Sequence, residues 1–388
     1  MSRIDELIRE LAPKGIQFER LGDLVRIRNG RDYKHLAAGH VPVYGTGGIM
    51  TTVDTPAYSK PSVLIPRKGS LSKLYYVEEP FWTVDTIFYT EVGDRLVAKF
   101  LYYFLAAEHL ENLNKAGGVP SLTQGELNEL RIPVPPLEVQ REIVRILDQF
   151  TELEAELEAE LEARQRQYAF YRDQLLTFPE AGGVRWIPMG EVTSYIRGVT
   201  YSKNDEVRDG ESGYRLLRSN NIDLAANRLD LNDVRVVKDA VRIRENQWLK
   251  KNDIMVSAAS GSKAHVGKVA FIDEDMDYAF GGFMAVVRAK DEVFPRYLFH
   301  LLVGKPFADY LDATITSTTI NNLTGEIMGN FVIPVPSLDE QQRIVDILDK
   351  FDALVNNLSV GLPAELNARR QQYEYYRDKL LTFEEAAA

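Results

Sequence analysis

The 388-residue sequence predicts an α+β protein. It should hold two small globular bodies separated by two long helices packed as an antiparallel coiled coil, with a pseudo-twofold internal repeat. Three observations lead there. Ile132-Pro-Val-Pro-Pro-Leu137 and Gln140-Arg-Glu-Ile-Val-Arg-Ile-Leu-Asp-Gln-Phe150 return 201 positions later as Ile333-Pro-Val-Pro-Ser-Leu338 and Gln341-Gln-Arg-Ile-Val-Asp-Ile-Leu-Asp-Lys-Phe351. Gln167-Tyr-Ala-Phe-Tyr-Arg-Asp-Gln-Leu-Leu-Thr-Phe178 returns as Gln372-Tyr-Glu-Tyr-Tyr-Arg-Asp-Lys-Leu-Leu-Thr-Phe383. The stretches between these copies mix short β-rich runs with turns and repeat far less closely. The expected boundaries are an N-terminal helix over 1–14, bodies over 15–136 and 181–336, a central spacer helix over 137–180 and a C-terminal one over 337–388.

Each body reads as short strands followed by a helix. Ser62-Val-Leu-Ile65 and Phe81–Tyr89 are the strand candidates of the first. Asp253–Ser257, Val266–Ile272 and Phe283–Arg288 are those of the second, all β-branched or aromatic runs bounded by turn residues. Gly15–Leu24 echoes Gly183–Val192 at an offset of 168, and Leu101, Phe104 and Leu105 echo Leu298, Leu301 and Leu302 at 197. The offset reaches 201 at Pro-Val-Pro and 205 at the terminal aromatics, so most of the extra length lies inside the second body.

The helices follow from periodicity. Residues 137–178 contain no Pro or Gly and carry Ile143, Leu147, Phe150, Leu153, Leu157, Leu161, Tyr168, Tyr171 and Leu175 at helical spacing, one apolar face. Roughly 40 residues at about 1.5 Å each span about 60 Å, longer than a domain is wide. The stripe therefore needs another surface, and Ile344, Leu348, Phe351, Val355, Leu358, Leu366, Tyr373, Tyr376 and Leu380 supply one. The long intervening body favours antiparallel pairing, with parallel pairing the alternative. Pro-Val-Pro ends a short strand and keeps the preceding residues out of each helix. Three Glu-Leu-Glu-Ala tetrapeptides over 152–163 place leucine every four residues, so the stripe drifts about 40° per step from a regular seam. In the second copy Gly361 and Pro363 should break or kink the helix, with Ser359 or Gly361 near the new cap.

Composition excludes several classes. There is no cysteine, hence no disulfide, thiolate metal site or cysteine nucleophile. Met1–Leu11 is charged every few residues, unlike a signal peptide, and no apolar run approaches the roughly 20 residues of a spanning helix, so a cytoplasmic protein without membrane contact is expected. The net charge of -11 is unevenly placed. Lys plus Arg against Asp plus Glu is 12 to 13 over residues 18–130 and 19 to 20 over 184–331, but 6 to 11 over 131–183 and 6 to 10 over 332–388. The acidity belongs to the repeated helices; the bodies are close to neutral.

No catalytic constellation stands out. Gly261-Ser-Lys-Ala-His-Val-Gly267-Lys268 is one residue too long for a phosphate loop and continues into Val269 where Ser or Thr is needed. Gly45-Thr-Gly-Gly48 lacks the strand and helix of a dinucleotide fingerprint. No Asn or Asp precedes a Pro-Pro-aromatic sequence, so the amino-methyltransferase signature is missing. His35, His40, His109, His265 and His300 have no metal-ligand spacing. What remains is loops of residues suited to DNA, since Arg and Lys donate to guanine, Asn pairs with adenine and Ser or Thr serves base or phosphate. In the first body the candidates are Lys34, His35, Thr46, Gly47, Arg67, Lys68, Ser70 and Lys73. In the second they are Tyr201, Lys203, Arg218, Ser219, Asn220, Asn221, Ser260, Ser262, Lys263, His265, Lys268, Thr318 and Asn321.

With these motifs in view, Gln-x-x-Ile-Val-x-Ile-Leu-Asp-x-Phe and Gln-Tyr-x-x-Tyr-Arg-Asp-x-Leu-Leu-Thr-Phe above all, the chain resembles the specificity (S) subunits of type I restriction–modification systems along essentially its whole length. The Glu-Leu-Glu-Ala tandem resembles the tetrapeptide repeats of one branch. The resemblance implies two target-recognition domains, each reading half of a split double-stranded DNA site, on paired helices that dock two methyltransferase (modification) subunits, with restriction/translocase subunits joining through the complex. On the helices Arg145, Gln167, Tyr171, Arg172, Gln372, Tyr376 and Arg377 are the residues expected to face those partners. It also implies a non-catalytic chain, with S-adenosylmethionine and ATP handled by partners. The competing expectation is a coiled-coil adaptor whose two bodies bind proteins.

Overall fold

The computed structural model describes residues 3–114, 118–179, 183–207, 212–223, 227–315, 321–356 and 361–386. It divides into two compact units, one formed by residues 1–156 with 367–388 and the other by 157–366.

The first unit opens with helix Arg3–Leu11, and its two larger sheets form the body. Four antiparallel strands lie in the order Val25–Asn29, Ile87–Val92, Ser62–Pro66 and Tyr75–Val77. A second sheet joins Gly48–Val53 antiparallel to Val41–Gly45, which runs parallel to Trp82–Thr83. The run expected as one strand over Phe81–Tyr89 is therefore two, parted by a turn at 84–86 that lets the chain change sheets. Helix Ala98–Ala107 buries Phe100, Leu101, Phe104 and Leu105 against Val63, Ile65 and Phe88, and Ile143 and Leu147 of the central helix enter the same core.

The second unit repeats this plan with little shared sequence. Its four-stranded sheet runs Thr193–Arg197, Met284–Ala289, Ile254–Ser257, Val269–Phe271, and its smaller sheet runs Arg235–Val237, Tyr214–Leu217, Ala279–Phe280, with the last pair again parallel. Helix Pro295–Val303 takes the place of Ala98–Ala107. Part of the added length forms the antiparallel pair Ile222–Asp223 with Arg228–Leu229, and a helix Lys305–Thr314 follows Pro295–Val303.

The recurring motifs turn out to be a joint. Phe18–Arg20 pairs antiparallel with Arg131–Pro133, as Arg185–Pro188 does with Val332–Val335. The glutamine that follows each Pro-Val-Pro is fully buried. Gln140 accepts from the Val97 amide (2.7 Å) and donates to the carbonyls of Arg95 (3.0 Å) and Pro135 (2.7 Å). Gln341 does the same with the Phe294 amide (2.9 Å) and the carbonyls of Glu292 (3.1 Å) and Pro336 (3.0 Å). Two turns on, the aspartate of Ile-Leu-Asp grips the body's own helix. Asp148 accepts from Lys99 Nζ (2.9 Å) and the Tyr103 hydroxyl (2.6 Å), and Asp349 from Arg296 Nε (2.7 Å) and His300 Nε2 (2.8 Å).

The central helix spans Leu137–Leu175. Within the first unit it runs antiparallel to the C-terminal helix: Tyr376 stacks on Phe150 (5.6 Å, 26°), and further along Arg370 pairs with Glu154. Within the second unit Tyr171 stacks on Phe351 (5.7 Å, 28°) in the equivalent contact, and Leu175 lies beside Ile347. The leucines of the tetrapeptides are only half-buried, as a drifting stripe requires. The second copy is broken, into Leu338–Asn356 and Leu362–Leu381. Gly361 sits just before the new helix at φ +83°, a conformation costly for any side chain, and a Cβ there would meet the Leu354 carbonyl oxygen at 2.6 Å. Pro363 falls in the first turn, where its missing N–H costs nothing. Ser359, the other capping candidate, lies outside the described residues.

Candidate nucleic-acid interface

In the first unit one short segment, Trp82–Ile87, gathers the candidate loops. The Arg31 amide donates to the Thr83 carbonyl (2.8 Å), and Trp82 Nε1 donates back to the Arg31 carbonyl (2.9 Å). His35 meets the Trp82 ring edge-on at 5.8 Å. The Thr86 carbonyl accepts from both Thr46 Oγ1 (3.1 Å) and the Arg67 amide (2.9 Å). Lys73 Nζ donates to the Gly47 carbonyl (3.1 Å), and the Tyr75 hydroxyl to that of Thr46 (2.9 Å). Loops from three parts of the chain thus share one surface. Lys34, His35, Gly47, Lys68, Ser70 and Lys73 are exposed on it, while Thr46 and Arg67 are half-buried.

The equivalent segment of the second unit, Phe280–Met284, does the same with different residues. The Val199 amide donates to the Phe280 carbonyl (2.7 Å), which positions Tyr201 and Lys203 just beyond. The Gly281 amide donates to the Leu217 carbonyl (2.9 Å), next to Arg218, and Ala258 and Ala259 both donate to the Phe283 carbonyl (2.8 and 3.0 Å), next to Ser260. Ser260 and Asn321 face each other in a two-residue antiparallel ladder. Lys203, Asn220, Ser262 and His265 are exposed, and Tyr201, Ser219 and Ser260 are half-buried.

Several expected contacts have internal duties. Asn221 is 1% exposed. Its carboxamide accepts from the Arg218 amide (2.8 Å) and donates to the carbonyls of Asp230 (2.7 Å) and Asp233 (3.1 Å), so it shapes the turn from inside and leaves no group for a base edge. Asn321 is also buried, its amide directed to the Ser260 carbonyl. Arg218 pairs with Asp233 (2.8 Å) and Lys263 with Asp312 (3.2 Å). Burial pushes the Lys268 ammonium below its ordinary pKa, with Asp223 opposing. Thr318 lies outside the described residues. A sequence gives no sign of such commitments, because the carbonyls that claim Asn221 lie 9 and 12 positions away.

Of the helix candidates, Tyr171 and Tyr376 spend one face on the seams between helices. Arg145 is held by Glu142 and Gln149 on an exposed face. Gln167 accepts from Arg164 and Gln372 from Arg369. Arg172, buried over the Tyr168 ring (5.4 Å), pairs with Asp173 (3.4 Å), and Arg377, over the Tyr373 ring (5.9 Å), pairs with Asp378 in the same way.

The model of the type I restriction modification DNA specificity domain fits residues 13–163 and 186–368. The chain belongs to the type I specificity subunits. It is 35% identical to the Escherichia coli EcoR124I/EcoR124II specificity subunit over 75% of this chain and 72% of that one. It is 30% identical to the Haemophilus influenzae specificity subunit S.HindORF215P over 89% of each. Among solved structures, the S subunit from M. genitalium superposes with a TM-score of 0.57 at 16% identity, covering 95% of this chain and 96% of that chain. A chain from work on assembly and conformational transition of the type I R-M system gives 0.63 at 18%, covering 95% and 97%. These two likenesses show the fold. The role of a specificity subunit is DNA recognition. Among the described residues no helix is long and apolar enough to cross a membrane.

Proposed function

We propose that this specificity subunit reads a bipartite, asymmetric double-stranded DNA site, one half-site per body, and docks two methyltransferase subunits on its helices. The observation that supports this most directly is the pair of loop clusters: the same strands and the same gathering segment carry different polar side chains. On this reading the chain is cytoplasmic and catalyses nothing itself. S-adenosylmethionine and ATP act on the partner subunits, and restriction/translocase subunits join through the assembly. Because neither body is strongly basic, counterion release contributes modestly to affinity for the isolated chain, and much of the phosphate grip comes from partners. Footprinting of the chain assembled with its methyltransferase tests the reading. Two protected half-sites separated by an unprotected gap are expected; one contiguous protected half-site would contradict it.

A further inference from the structure

The turn that gathers the second unit's loops carries a side chain that joins none of the hydrophobic clusters of the described residues. Phe283 is 65% exposed. A single exposed apolar residue ordinarily needs no explanation. This one sits on a turn whose carbonyls from 280 to 283 all accept hydrogen bonds. The Phe280 carbonyl accepts from Val199, that of Gly281 from Met284 (2.8 Å), that of Gly282 from Arg197 (2.8 Å), and that of Phe283 from Ala258 and Ala259. The ring is therefore held out on a rigid support, at the centre of the loops bearing Tyr201, Arg218 and Ser260. Arg197, which grips the turn, also reaches Asn322 Oδ1 (3.3 Å).

The first unit supplies the comparison. At the repeat offset of 197, Thr86 occupies the same place: its carbonyl accepts from Thr46 and Arg67, and its strand starts one residue later, as Met284 follows Phe283. One fixed turn thus presents a small hydroxyl in one body and an aromatic ring in the other. A position whose backbone role is constant while its side chain changes chemical class is suited to discrimination. A rigid aromatic ring matches the one apolar feature of a base edge in the major groove, the thymine 5-methyl.

Resting on the reading that each body recognises its own half-site, we propose that Phe283 is a specificity-determining residue that packs against a thymine 5-methyl group in the second body's half-site. Burying one methyl corresponds to about a fourfold gain in affinity. The test uses the chain assembled with its methyltransferase, on a duplex carrying its site as mapped by methylome sequencing, with each thymine replaced in turn by deoxyuridine. The wild-type assembly is expected to bind one substituted duplex about three- to fivefold more weakly. Phe283→Ala should remove that penalty, and Phe283→Leu should retain part of it. Neither change should much alter the unfolding midpoint, since the ring is largely exposed and joins no hydrophobic cluster of the described residues. The inference is overturned if no thymine shows a penalty, if Phe283→Ala leaves the penalty intact, or if 2-aminopurine placed in the site reports unstacking by Phe283 without methyl dependence. A wild-type assembly lacking a two-part footprint would instead overturn the underlying reading, and this proposal with it.

Discussion

Replacing Gln140 by Ala should release the first body's helix from the central helix while leaving the second joint intact. The side chain makes three buried hydrogen bonds to backbone groups, to the Val97 amide and to the carbonyls of Arg95 and Pro135. At a net of about 0.5–1.5 kcal/mol each, the loss is about 2–4 kcal/mol, and it leaves an unsatisfied amide at the N-cap of Ala98–Ala107. If local opening becomes easier by roughly 3 kcal/mol, exchange of the Val97 amide accelerates on the order of a hundredfold. Hydrogen exchange with mass spectrometry reads this directly, and the Phe294 amide, held by Gln341, is the internal control. Gln140→Glu should be no better, because it keeps the acceptor for Val97 but sets a carboxylate against two carbonyls. Unchanged Val97 exchange in the alanine variant would refute the idea that the glutamine secures the joint. Equal acceleration at Phe294 would show global unfolding instead.

Four further outcomes are expected. Burial drives the His300 imidazole below the ordinary 6.5, with the Asp349 hydrogen bond opposing. The unfolded chain then binds a proton that the folded state refuses, so this contribution to stability is lost as pH falls below about 6.5; the urea midpoint should drop between pH 7 and 5.5, and less so in His300→Gln. An added Cβ at Gly30 would lie 2.0 Å from the Val84 carbonyl oxygen, and at Gly198 2.1 Å from that of Gly281. Gly30→Ala should therefore cost about 1–3 kcal/mol or more and impair only the first body's half-site in footprints, with Gly198→Ala impairing only the second. Deleting Glu156–Ala159 shortens the central helix by about 6 Å and rotates its C-terminal part by about 40°, near the roughly 35° of one base-pair step. Methylome sequencing should find the gap changed by about one base pair and both half-sites kept. Asn221→Ala should lower thermal stability, by roughly 2–3 kcal/mol for three internal hydrogen bonds, and a variant as stable as wild type would make Asn221 a base reader again.

The helices were legible in the sequence because their signals are local: the apolar period marks Leu137–Leu175, and Gly361 with Pro363 marks the break. The twofold plan was legible only where its residues are constrained alike. Gln140 and Gln341 recur because each serves three backbone groups, a demand only a carboxamide on that helix meets, yet their duty is hidden since the helix amide and one carbonyl lie 43 to 49 positions upstream. The shared sheet order of the two bodies was less visible, because apolar strand residues interchange freely without altering the fold. Within the candidate interface, residue type alone could not separate exposed Asn220 from buried Asn221. Phe283 read as the first residue of a strand, and its exposure depends on a turn fixed by Val199, Arg197 and Ala258, all distant in sequence.

The paired joints bear on how bodies could be exchanged. The glutamine addresses backbone only, so it is indifferent to the side chains at the top of the body's helix. The aspartate accepts Lys99 with Tyr103 in one copy and Arg296 with His300 in the other, two donors one helical turn apart in both. A foreign body could be seated on either helix provided it offers a free amide at its helix start, two donors in step behind it, and an apolar face for Ile143 and Leu147 or for Ile344 and Leu348. Such a socket is permissive about identity and strict about register, which lets what is read diverge while the way it is held stays fixed.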